Sequence, residues 1–117
     1  MTPELHRVGR IGSTMDRLHD LAAEGAPAGT AIVAEAQTGG RGSRGRAWES
    51  PVGGLWLSVL YRPASSAGAE LLSLRLGLAV AEAVETVVPA VRLALKWPND
   101  LILADRKVGG ILCEARW

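Results

Sequence analysis

The stretch that most constrains this chain runs from Gln37 to Gly54, where neither helical nor strand-like periodicity of apolar residues survives. Irregular segments longer than about twelve residues are uncommon in compact domains unless they bind something or are disordered. Its first part, Gln37-Thr38-Gly39-Gly40-Arg41-Gly42-Ser43-Arg44-Gly45-Arg46-Ala47-Trp48, interleaves arginine with glycine. Glycine lets the backbone reach positive φ and approach a ligand closely, and arginine presents a planar fork of donors suited to phosphate or carboxylate. The segment reads as a loop that closes over an anion. Ordering ten such residues costs on the order of 10–20 kcal/mol of conformational free energy, and almost no apolar side chain is there to offset it. We therefore expect mobility without ligand and ordering with it.

The flanking sequence supplies the scaffold. Ser13-Thr14-Met15-Asp16 has the spacing of a capping box, and Leu18, Leu21 and Ala22 continue at helical intervals, which predicts a helix over about 14–24. Thr30–Ala36 is a short apolar run bounded by turn residues, a buried strand. Leu55–Tyr61 reads as a second strand. A long helix over about 69–88 follows, so widely apolar in its first half that we expect it to be largely buried, with Pro89 marking its end. Arg92–Trp97, Leu101–Ala104 and Val108–Glu114 read as three further strands with hairpin-length connections, and Trp97 as a core residue. The order of elements predicts an α+β fold with a mixed, mostly antiparallel sheet packed with helices. No internal repeat and no second domain is evident.

Composition excludes several function classes. With 117 residues the chain fits one domain. Thirteen Lys+Arg against twelve Asp+Glu leave a net charge of +1, so no global field draws it to nucleic acid or anionic membrane. The positive charge is local: Arg41, Arg44 and Arg46 have only Glu35 and Glu49 near them in sequence. Cys113 is the only cysteine, so there is no intramolecular disulfide, and a reducing, cytoplasmic setting is expected. His6, His19 and Cys113 lack partners at metal-ligand spacing, and no Ser-His-Asp or Cys-His constellation is apparent.

Three ordered motifs carry a resemblance. The Gly-Arg-Gly-x-x-Gly-Arg-x-Trp loop at 40–48, Lys96-Trp97-Pro98-Asn99-Asp100, and Arg106-Lys107-Val108-Gly109-Gly110-Ile111-Leu112 closely resemble the catalytic domain of biotin protein ligases. The resemblance implies a class II aminoacyl-tRNA synthetase-like fold. It also implies an enzyme that joins biotin and ATP into biotinyl-5′-AMP and passes biotin to a lysine of a biotin carboxyl carrier protein. Such chemistry needs positioning and preorganised positive charge rather than a nucleophile.

The resemblance also implies roles for single residues. Lys107 and Arg41 would be catalytic cations at the biotin carboxylate and the α-phosphate. Ser13, Thr14 and Gln37 would meet the ureido end of biotin, with Arg41, Gly42, Ser43, Lys107 and Gly110 completing the biotin site. Ser43 stands where some relatives have arginine, which implies faster loss of the adenylate. Arg44, Arg46, Trp48, Asn99 and Asp100 would face ATP, Trp48 as a stacking platform and Asp100 as a partner of Mg²⁺. From the residues alone, Ser13 is equally a helix cap, Lys107 a solvated hairpin lysine, Trp48 a packing residue, and Asn99 and Asp100 turn formers.

The family domain continues beyond the Gly-Ile-Leu-x-Glu strand into further strands and a small β-barrel, so residues 1–117 are expected to be a single partial catalytic domain. Its last strand would then present an open edge, favouring a homo-oligomer. No N-terminal DNA-binding domain is seen, and neither DNA nor membrane is an expected partner. Three alternatives stay open: an inactive biotin- or nucleotide-binding fragment, a lipoate protein ligase, and an RNA-binding arginine and glycine loop.

Overall fold

A computed structural model of the protein describes residues 2–116, except for the side chain of Glu70. The chain divides into two compact units, residues 1–64 and 65–117. The first contains β1 (Leu5–Ile11), α1 (Thr14–Ala23), β2 (Ala31–Gln37) and β3 (Trp56–Val59). The second contains α2 (Leu72–Val87), β4 (Ala94–Lys96), β5 (Asp100–Leu103) and β6 (Arg106–Gly110). The fold is α+β. The expected mixed, mostly antiparallel pairing is present, distributed over two three-stranded sheets.

In the first unit the sheet order is β1-β2-β3, with β1 parallel to β2 and β2 antiparallel to β3. Helix α1 is the crossover between the two parallel strands and packs on β2 and β3. Its start follows the sequence closely: Ser13 is the N-cap, extended at φ −155°, and its Oγ accepts from the backbone N–H of Met15 and Asp16. Alternation along β2 sends Ile32, Ala34 and Ala36 inward, where with Leu18 they form the core, while Glu35 faces solvent. Strand β1 has no counterpart among the predicted elements. Its clearly apolar residues, Leu5, Val8 and Ile11, fall three apart, and it is held by backbone pairing to β2 from Leu5↔Ala31 to Ile11↔Gln37. An edge strand covered on little of its surface needs no strict two-residue alternation.

The last turn of α1 contains no basic residue. Arg62, beyond β3, fills that role: its Nη2 donates to the carbonyls of Ala22 (2.9 Å) and Ala26 (2.8 Å), and its Nε donates to Ala26 (3.0 Å). A cation on a carbonyl of the last helical turn interacts favourably with the helix dipole, and the bonds to Ala26 tie down the loop that follows.

The segment 37–54 carries hydrogen-bonded backbone structure that its composition does not signal. Isolated bridges join Gln37 to Ser50 and Arg41 to Ala47, and residues 43–45 form a single 3-10 turn at the tip. Gly42 donates to Arg46 and Trp48 to Gly40. The segment is thus an irregular hairpin whose order comes from main-chain bonds rather than from apolar side chains. At its base Gly40 is squeezed: a Cβ there would lie 2.5 Å from Ser50 Oγ and 2.6 Å from the Trp48 carbonyl. At Gly42 a Cβ would meet the Trp48 ring at 3.6 Å and the Arg46 carbonyl at 3.8 Å, both ordinary contacts.

In the second unit α2 packs on β4 and β5, and the antiparallel order is β4-β5-β6. Lys96 pairs with Asp100 around the turn that contains the cis Trp97-Pro98 bond. Ala104 and Asp105, both at positive φ, form the two-residue turn into β6, a geometry that matches the twist of a hairpin. Two expectations are corrected here. Helix α2 is not largely buried: only Gly77 and Ala81 are, whereas Leu76, Leu78 and Val87 are exposed. Sixteen helical residues extend about 24 Å, and a sheet whose strands have three to five residues covers little of that length. Trp97 is 62% exposed, because it occupies the turn between β4 and β5 rather than a strand. Among the described residues no helix is long and apolar enough to cross a membrane.

Two outcomes follow from this packing. Arg62→Ala is expected to cost about 1 kcal/mol and to lower Tm by roughly 4–8 °C in a thermal melt; an unchanged Tm would show that the clamp contributes nothing. Gly40→Ala is expected to spring the base of the hairpin and accelerate trypsin cleavage after Arg44 and Arg46 severalfold, while Gly42→Ala leaves that cleavage rate nearly unchanged. Equal rates for the two variants would contradict the close approach at Gly40.

Candidate functional site

The first unit gathers most of the residues singled out in the sequence around one chain of hydrogen bonds. The Gln37 side chain stands at its centre, at the end of β2. Its Oε1 accepts from the backbone N–H of Thr14 at 2.8 Å, and its Nε2 donates to Ser50 Oγ at 3.0 Å. Ser50 Oγ in turn donates to the Trp48 carbonyl at 3.0 Å. On the other side Thr14 Oγ1 and Ser58 Oγ lie 2.7 Å apart, buried, in a hydrogen bond. Ser13, Thr14, Ser50 and Ser58 are all buried, and no buried side-chain polar atom among the described residues lacks a partner. An amide has two donors and two acceptor lone pairs, and a hydroxyl has one donor and two lone pairs. Gln37 and Thr14 therefore keep valences for a polar ligand while holding the scaffold.

Beside this network is an open groove of about 420 Å³, lined by Arg10, Gln37, Thr38, Gly40, Trp48 and Ser50 among others. Its size falls within the range of small-molecule sites. Trp48 is half-buried, and its ring lies against Gly42. Trp48 is also among the residues that line the groove. Arg10 is a wall residue that sequence reading passed over because β1 itself was missed.

Arg41 leaves the base of the hairpin and its Nη2 donates to Asp16 Oδ1 at 2.9 Å, a pairing that links the loop to the first turn of α1. Sequence proximity pointed to Glu35 and Glu49 instead. Gly42, expected to bring its backbone to a phosphate, has its N–H engaged by the Arg46 carbonyl at 2.7 Å. Ser43, Arg44 and Arg46 occupy the exposed tip, with Arg44 in the left-handed region at φ 61°.

The second unit brings together Asn99, Asp100, Lys107 and Gly110. Lys107 Nζ and Asp100 Oδ1 form an ion pair at 2.8 Å. A bulge creates it: Leu101 pairs with Gly109 but Ile102 with Lys107, so Val108 is the extra residue. Without that insertion Lys107 would oppose Leu103 and its side chain would emerge on the other face from Asp100. Gly110 lies opposite Asp100, and a Cβ there would sit 3.7 Å from Lys107 Cε and 4.0 Å from Asp100 Oδ1. Glycine thus leaves room beside the pair. The Asn99 carbonyl accepts from Ile111, which extends the β5–β6 pairing. Gly109 answers to a neighbour within the sheet, since a Cβ there would press on Leu101 Cδ1 at 3.3 Å. Among the described residues no group of three His, Cys, Asp or Glu side chains could hold a metal ion.

The chain as a whole is similar to known proteins. Residues 8–116 match the model of the biotin/lipoate A/B protein ligase family. The bifunctional ligase/repressor BirA of Bacillus spizizenii is 39% identical over 106 residues, which are 89% of this chain and 32% of that protein. The biotin protein ligase of Leishmania major, solved with biotinyl-5-AMP, superposes with a TM-score of 0.86 at 34% identity, covering 99% of this chain and 53% of that one. The Aquifex aeolicus biotin protein ligase, solved with biotin and ATP, also gives a TM-score of 0.86, at 39% identity over 97% of this chain and 47% of that one. The chain thus spans about a third of that curated relative and about half of those two solved ligases. With both the matched length and the backbone in agreement, the chain belongs to the biotin/lipoate A/B protein ligase family.

Proposed function

We propose that this chain performs biotin activation and transfer. A carboxylate oxygen of biotin attacks the α-phosphorus of ATP, the bond to the β-phosphate breaks, and pyrophosphate leaves biotinyl-5′-AMP behind. The neutral amine of a carrier-protein lysine then attacks the biotinyl carbonyl carbon and releases AMP and a proton. The observation that carries this reading is the groove of the first unit, lined by Gln37, Gly40 and Trp48, whose Gln37 is tied to Thr14 at the start of α1, in a chain whose backbone matches ligases solved with biotin and ATP and with biotinyl-5-AMP. Biotin, rather than lipoate, is the substrate class named for those relatives.

In this reading Ser13, Thr14 and Gln37 offer hydroxyl and amide groups to the ureido ring of biotin. Arg41 and Lys107 are the catalytic cations: they attract the carboxylate and phosphate, and they stabilise the charge that builds on the phosphoryl and acyl oxygens. Gly42, Ser43 and Gly110 give the adenylate close access to the backbone. Arg44 and Arg46 draw ATP in, Trp48 stacks on adenine, and Asn99 and Asp100 meet the nucleotide.

Mg²⁺ fits this scheme as part of the ATP complex. One carboxylate plus substrate phosphates is a usual magnesium environment, and Asp100, with Oδ1 on Lys107, offers its Oδ2. The ion would neutralise phosphate charge. The acceptor is a biotin carboxyl carrier protein, and the setting is cytoplasmic.

Titration calorimetry of the purified chain with biotin and ATP·Mg²⁺, separately and together, tests the reading when pyrophosphate release is followed in the same samples. Biotin binding with pyrophosphate release is expected; biotin binding without it would leave a binding domain that does not activate. Lys107→Ala is expected to lower adenylate formation by about 10²–10³-fold, as removal of one transition-state donor does, and near-normal formation would remove Lys107 from the mechanism. Ser43→Arg, which adds a cation over the adenylate, is expected to slow biotinyl-AMP release at least threefold; an unchanged or faster release rate in a chase experiment would contradict that role.

A further inference from the structure

Arg41 is held by a residue that the proposed reaction does not use. Asp16 is the third residue of α1, and its backbone N–H donates to Ser13 Oγ. Its carboxylate is therefore attached to the same helix start at which Thr14 is tied to Gln37. Arg41 directly follows the squeezed Gly40 and opposes Ala47 across the hairpin. Beyond that point the backbone bonds from Gly42 to Arg46 and from Arg46 to Ser43 close the tip on itself. Such bonds shape a hairpin but do not fix the direction in which it leans. Main-chain bonds from Thr38 to Ile11 and from Gly39 to Gly12 anchor its base, and the 2.9 Å bond from Arg41 Nη2 to Asp16 Oδ1 adds, beyond that base, a side-chain connection to a separate element.

Resting on the function proposed above, we infer that Asp16 is a positioning residue. It latches the arginine hairpin to the start of α1, fixes the Arg41 guanidinium at that helix end, and slows escape of the biotinyl-adenylate. An acid at this helix position also interacts favourably with the helix dipole whether or not Arg41 is present. The latch differs from that general effect in requiring Arg41. The Asp16 side chain is 59% exposed and that of Arg41 29%, so solvent screens much of the attraction. A change of about fivefold is the effect expected of such a pair.

The test has two arms. In the free chain, Asp16→Ala is expected to speed trypsin cleavage after Arg44 and Arg46 about fivefold, and Asp16→Glu to restore slow cleavage. The same Asp16→Ala change made in an Arg41→Ala background is expected to add nothing. Cleavage unaffected by Asp16→Ala, or accelerated equally in both backgrounds, would overturn the latch, and a melt of each variant separates these effects from a general loss of stability. In the second arm biotinyl-5′-AMP is bound and chased with unlabelled adenylate, and its release is expected to be about fivefold faster from Asp16→Ala, again only when Arg41 is present. Unchanged release alongside faster cleavage would overturn the retention role. Failure of the unaltered chain to bind the adenylate, with the cleavage results as expected, would sink the functional reading and leave the latch standing.

Discussion

The side-chain amide of Gln37 is the constraint from which the first unit is organised. Three separate pieces of chain end on it or beside it: the start of α1 through the Thr14 N–H, the end of β2 through its own backbone, and the return of the hairpin through Ser50. A buried donor left without its partner costs about 1–3 kcal/mol. Replacing Gln37 with an apolar residue would therefore strand the Thr14 amide and loosen the wall of the groove in one step. Glutamate in its place would still accept from Thr14 but could not donate to Ser50, so only an amide serves both neighbours.

The legible parts of the sequence were those governed by local rules. Ser13 as a cap and the apolar run of β2 bounded by turn residues are short-range signals, and each reappears in the structure within a residue of where it is expected. What could not be read depends on register or on distant partners. Strand β1 is held by backbone pairing to β2 rather than by a pattern of its own. The bulge at Val108, which decides the face on which Lys107 emerges, is one residue of slip between two short strands and has no compositional signature beyond Gly109-Gly110. The pairing of Asp16 with Arg41 spans β2 in sequence and closes only once that strand is in the sheet. Helix α2 illustrates the opposite error, in which an apolar stripe was read as burial although its own sheet is too short to cover it.

The loop itself sits between these cases. Its composition pointed to an anion and to a lack of apolar anchoring, and the second point stands, because the tip carries exposed Ser43, Arg44 and Arg46. Its backbone is nonetheless arranged as a hairpin by bridges at Gln37–Ser50 and Arg41–Ala47. Glycine contributes differently at each position. Gly40 is required by contact at the base, whereas Gly42 has ordinary space around it, so the packing of the hairpin alone does not demand glycine there.

The two cations proposed for catalysis share one arrangement in their separate units. Arg41 is paired with Asp16 and Lys107 with Asp100, each by a bond of 2.8–2.9 Å to a carboxylate on a neighbouring element. A long cationic side chain free in water loses about 2 kcal/mol of rotamer freedom when a ligand fixes it. A carboxylate partner imposes that loss in advance, at the expense of some positive potential. The trade favours a reaction whose charge appears at one place, on the oxygens around the reacting phosphorus and carbonyl carbon, where direction matters more than total field. Arg44 and Arg46, on the exposed hairpin tip, suit the other task, drawing a polyanionic nucleotide from solution, where range matters and fixed geometry does not.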